Sequence, residues 1–156
     1  MDSELMSAAQ ILDEYRNDIR KLSAYLPWLM EKSGQKASQK YGQDGIAAHS
    51  LSFPVYDSNL LRFVKEAEQT CFMNRNYAYV YSRYRLRDNA DEIALIQKTT
   101  IQQMSVLGGI LSKYVLGGRT KARLWSEGLE KDIFLEVIKK AKELADFWEN
   151  ATIHKE

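Results

Sequence analysis

The residues that could carry chemistry are few and scattered. His49 and His154 are the only histidines, so the chain has no two-histidine metal spacing and no histidine relay. Cys71, the single cysteine, falls on the apolar face of an expected helix with no basic residue between Lys65 and Arg75. It reads as a small buried hydrophobe rather than an activated thiol. The carboxylate pairs Asp13/Glu14, Asp91/Glu92 and Glu127/Glu130 fall on solvent faces or at capping positions. Gly108-Gly109 and Gly117-Gly118 lack the offsets of a dinucleotide-binding turn and the Lys-Ser/Thr ending of a phosphate loop. No catalytic residue, metal ligand or cofactor site is therefore expected.

Regional charge is the feature that stands out. Residues 72–123 carry nine basic and three acidic groups, although the whole chain has a net charge of only +1. Within that third, Arg75, Arg83, Arg85 and Arg87 interleave with Tyr77, Tyr79, Tyr81 and Tyr84, while Lys113, Arg119, Lys121 and Arg123 gather around Gly117-Gly118. Cations bind phosphates, and aromatic faces stack on bases or lie beneath cations. The candidate binding surface is thus Arg75, Tyr77, Tyr79, Tyr81, Arg83, Arg85, Lys113, Arg119, Lys121 and Arg123. The competing reading makes the tyrosines core residues with hydroxyls at the surface, and pairs the arginines with the acidic terminal helices.

Helices must position these groups. Leu5, Ala8, Leu12, Tyr15, Ile19, Leu22 and Leu26 recur at alternating three- and four-residue steps, which predicts an amphipathic first helix ending or kinking near Tyr25, ahead of Pro27. That 3-4 spacing also admits a homodimer seam, though packing against its own domain is the simpler use. A Gly-, Ser- and Gln-rich stretch at about 33–52 reads as a flexible loop. Asp57 or Ser58 then caps a second helix carrying Leu60, Leu61, Val64, Ala67 and Cys71 on one face.

In residues 77–86, Tyr77, Tyr79 and Tyr81 alternate as in a strand, while Tyr77, Val80, Tyr81 and Tyr84 share a helical face. Both readings stay open, with helix slightly favoured. Asn89/Glu92 and Thr100/Gln103 have capping-box spacing. From about Ile101 to Leu116 the chain is apolar on most sides, as a helix surrounded by others would be. Gly108-Gly109 inside it implies a close helix contact, and Gly117-Gly118 a left-handed stop. Short and long helices at about Ala122–Leu129 and Asp132–Trp148 complete an all-α, single-domain bundle of about five or six helices, with the Ile101–Leu116 helix central.

The composition, 45% hydrophobic and 28% charged over 156 residues, suits one globular domain, 1–156. The longest uncharged run, between Lys98 and Lys113, is shorter than the ~20 apolar residues of a membrane span. A lone cysteine and a start without a basic, apolar leader point to a reducing cytoplasm.

The segments Asn76-Tyr-Ala-Tyr-Val-Tyr-Ser-Arg83, Leu107-Gly-Gly-Ile-Leu-Ser-Lys-Tyr-Val-Leu-Gly-Gly118 and Leu124-Trp-Ser-Glu-Gly-Leu129, followed by Ile133-Phe134, resemble a family of small, mostly Gram-positive bacterial proteins known only as a domain of unknown function. The likeness covers mainly the second half. It implies a bacterial helical domain and assigns no activity or catalytic residue. The leading expectation is a binding or adaptor protein without catalytic activity, its partner another protein or nucleic acid and not a membrane. The alternatives are a nucleic-acid-binding protein using the basic middle third, and an enzyme acting on a phosphorylated small molecule.

Overall fold

The computed structural model describes residues 2–33, 38–40, 54–56, 58–121 and 123–154, and side chains within 8–33, 58–121 and 123–150. Most of the expected loop at 33–52, with His49, lies outside the described residues, as does the side chain of His154. Among the described residues eight α-helices make the protein all-α, against the five or six expected. They are α1 (Asp2–Ser23), α2 (Leu26–Glu31), α3 (Ser58–Ala67), α4 (Tyr77–Tyr84), α5 (Asn89–Lys98), α6 (Met104–Gly117), α7 (Arg123–Glu130) and α8 (Ile133–His154). Two three-residue strands, β1 (Ser38–Lys40) and β2 (Pro54–Tyr56), pair antiparallel with Ser38 opposite Tyr56. Part of the undercount has a local cause: Pro27 opens α2 as a separate turn, because its fixed φ suits a first helical position while its missing N–H ends the helix before it.

Helices α1, α6 and α8 bury the stripes their periodicity marks, whereas α3 buries Leu60, Phe63, Val64 and Ala67 and leaves Leu61, expected on its inner face, exposed. Ala8, Leu12, Ile19 and Leu22 of α1 are buried, and α1 lies along α8, whose Ile133, Phe134, Val137, Ile138 and Ala141 are also buried. Helix α6 is central. It touches α4, α5, α7 and α8, and its buried residues run almost all round it, Leu107, Ile110, Leu111 and Tyr114 included. A row of rings crosses this core: Tyr25 to Phe63 at 5.3 Å between centroids, Phe63 to Phe134 at 4.9 Å and Phe134 to Tyr114 at 6.2 Å. These are offset and edge-on spacings that suit the ring quadrupoles. No described helix is long and apolar enough to cross a membrane.

Close approach to α6 places α4. A Cβ on Gly108 would lie 2.5 Å from the Phe72 carbonyl oxygen, and one on Gly109 2.6 Å from Val80 Cγ2, so both glycines are there for contact, as their spacing implied. Between them and α4, the buried Ser112 hydroxyl accepts from the Asn74 amide at 2.8 Å and donates to the Gly108 carbonyl at 2.6 Å. That anchors the turn from which α4 starts.

Three expectations need correction. Gly117-Gly118 is not a left-handed stop: Gly118 has φ −66°, and its missing side chain instead leaves room for the Trp125 indole. The left-handed positions fall on Arg85 (φ 55°) and Asp132 (φ 62°). The cap of α5 is Asp88, whose carboxylate accepts from the Asp91 amide at 2.9 Å, and not Asn89. The Thr100/Gln103 capping box does form, opening a 3-10 turn, Ile101–Gln103, ahead of α6. Cys71 is exposed rather than buried: α3 stops at Ala67, and Cys71 sits in the turn beyond it, its amide donating to Asp18 at 2.9 Å.

Candidate binding surface on α4

Residues 77–84 are helical, and the helix separates what alternation in sequence had grouped. Successive residues turn by about 100°, so Tyr79 and Tyr81 face opposite ways. Val80 is buried against α6, Tyr81 and Tyr84 are half-buried, and Ala78, Tyr79, Ser82 and Arg83 are exposed. Arg75, just before the helix, is exposed as well.

Beneath α4 lies a polar cluster built on Glu92, whose side chain is 1% exposed. Its Oε1 accepts from the Tyr114 hydroxyl at 2.7 Å and from Asn89 Nδ2 at 2.8 Å. Its Oε2 accepts from the Tyr81 hydroxyl at 2.5 Å and lies 3.4 Å from Lys113 Nζ. Glu127 Oε2 stands 3.4 Å from the same Tyr114 oxygen, but that hydroxyl has one proton and the nearer Glu92 oxygen takes it. Lys113 Nζ also lies 4.8 Å and 4.9 Å from the ring centres of Tyr81 and Tyr114, within cation–π range.

Four donors around one carboxylate satisfy it fully, which is what a buried charge requires. Burial first, then the adjacent Glu92, pushes the Tyr81 and Tyr114 phenols well above their ordinary range, so both stay protonated and donating. The cluster ties α4, α5 and α6 together. Glu92 was expected at a cap or on a solvent face; its interior place comes from the way α5 meets α6, which no local spacing signals.

The ten candidate surface residues divide accordingly. Tyr81 and Lys113 are committed to Glu92. Arg119 pairs with Glu68 through Nη2 at 2.6 Å. Tyr77 is half-buried with its hydroxyl against the Gly117 turn, which sets the start of α4 beside the end of α6. Arg75, Tyr79, Arg83, Arg85, Lys121 and Arg123 are exposed. Among the described residues, none of these five cations forms an ion pair with a carboxylate.

Compared with known protein families, curated proteins and solved structures, the chain matches none. Depressions of about 440 Å³ among Tyr25, Trp28, Arg62 and Glu66, and about 380 Å³ between α1 and α8, lie elsewhere and include no residue of 75–87. Among the described residues no group of three His, Cys, Asp or Glu is placed to hold a metal ion.

Proposed function

We propose that the protein is a binding or adaptor protein without chemistry of its own, and that it engages an anionic partner through the outer face of α4. The observation that carries this reading is the exposed pair Tyr79 and Arg83, four residues apart on the outer face of α4, with Arg75 exposed in the turn that leads into it. It stands in a stretch, residues 69–87, that contains no Asp or Glu. Cations left without internal carboxylates keep their full field for a partner. The polar groups that could act as acids and bases, Glu92, Tyr81 and Tyr114, are instead used up on one another. The reading takes the setting to be a bacterial cytoplasm, on the family resemblance and the lone cysteine.

Heparin, a polyanion without bases, tests it. Full-length protein should bind labelled heparin with an affinity that falls steeply with salt, and the double substitution Arg75→Ala/Arg83→Ala should lower both affinity and salt slope. Binding that ignores salt, or that survives the double substitution unchanged, removes α4 as the site.

A further inference from the structure

We infer that the anionic partner is single-stranded nucleic acid, with Tyr79 as a stacking platform between two phosphate-binding arginines; this rests on the reading of α4 as an anion-binding face. Tyr79 is 57% exposed, the largest ring so displayed on the basic third of the chain. Its neighbours on the helix surface, Ala78 and Ser82, are small and themselves exposed, which leaves room for a second ring against the phenol on that side. A displayed aromatic ring has no use for a partner that offers charge alone.

The arginines frame that ring. Arg83 follows Tyr79 by four residues on the same face of α4, and Arg75, four residues before it in sequence, is exposed in the turn that leads into the helix. The Arg83 Nη1 lies 3.4 Å from the Tyr79 hydroxyl, and its guanidinium carbon stands 5.7 Å from the centre of the Tyr84 ring. The planar group is thereby held beside the phenol, where it can take a phosphate next to a stacked base. An exposed ring beside a guanidinium, with further basic residues near it in sequence, is the arrangement that tracks an unpaired strand, because phosphates alternate with bases whose π-faces are open.

Other anionic partners fit less well. In a duplex the bases are stacked on each other, leaving Tyr79 nothing to stack on. The carboxylates of an acidic protein surface would satisfy the arginines but offer no π-face for Tyr79 to stack on. An anionic membrane would call for bulky apolar residues beside the cations, where α4 presents Ala78 and Ser82.

The test uses the full chain and four probes: a labelled oligouridylate, the same strand annealed to oligoadenylate, heparin and polyglutamate. At about 50 mM salt the single strand should bind tightest. Tyr79→Ala should weaken it about tenfold or more, the loss of one stacked base, while heparin binding stays unchanged and Tyr79→Phe, which keeps the ring and loses only the Arg83 contact, weakens it far less. Circular dichroism and urea unfolding of Tyr79→Ala should match wild type, since the ring is exposed. If duplex or heparin binds as tightly as the single strand, or Tyr79→Ala leaves strand binding unaltered, the stacking inference is wrong and the anion-binding face survives. If polyglutamate binds and nucleic acid does not, the partner is an acidic protein. If no polyanion binds, both proposals fail.

Discussion

The two sides of α4 use the same residue types in opposite ways. On the inner side, Tyr81 gives its proton to Glu92, and Lys113 lies over two rings beside that same carboxylate. On the outer side, Tyr79 and Arg83 meet each other and solvent. Tyrosine next to a cation is therefore not itself a mark of a binding site. What separates the two is the carboxylate: where one is buried among them the group is closed, and where none is near, the charge remains available.

Stability measurements can break this contrast. Glu92→Ala should be the most damaging change, removing the acceptor of both phenols and leaving Lys113 without its partner. A loss of about 2–5 kcal/mol is expected from urea unfolding, about 1–3 for each phenol hydroxyl left without its acceptor. A loss under about 0.5 kcal/mol would mean that the cluster is open to water.

Alkaline pH gives an intermediate effect. Tyr114 is fully buried and its folded pKa lies above the ordinary value of 10.0, so the unfolded chain gives up this proton first. The contribution of Tyr114 is fully present below about pH 10 and declines above it, at about 1.4 kcal/mol per pH unit. Urea midpoints should thus fall steeply above pH 10, and less steeply for Tyr114→Phe. A flat profile would show the phenol to be solvated.

At the small end, Tyr79→Ala should change stability by no more than about 0.5 kcal/mol, as exposed positions do. A larger loss would make Tyr79 part of the packing and weaken the contrast from its other side.

Much of the architecture was legible because periodicity is a local property. The buried stripe of α1, the helix boundary at Pro27 and the apolar circumference of α6 each follow from spacing along one element. The chain direction through the tyrosines was half legible: alternation suited a strand, and the helical face Tyr77, Val80, Tyr81, Tyr84 prevailed because Val80 can bury against Gly109. Cys71 was misplaced because the helical pattern ran on past Ala67, while the chain itself turned.

The amino-acid sequence alone determined the helical class, the central helix and the concentration of positive charge in the middle third, since each is set by composition and by neighbours within a few residues. Only the tertiary structure decided which charges are spent. Glu92 and Asp91 adjoin in sequence, yet one is buried under two tyrosines and the other caps a turn by accepting from the Arg87 amide at 2.9 Å. That division depends on which helices meet α5 and at what depth. Burial is a sum over contacts distant along the chain, and for Glu92 those contacts come from α4 and α6.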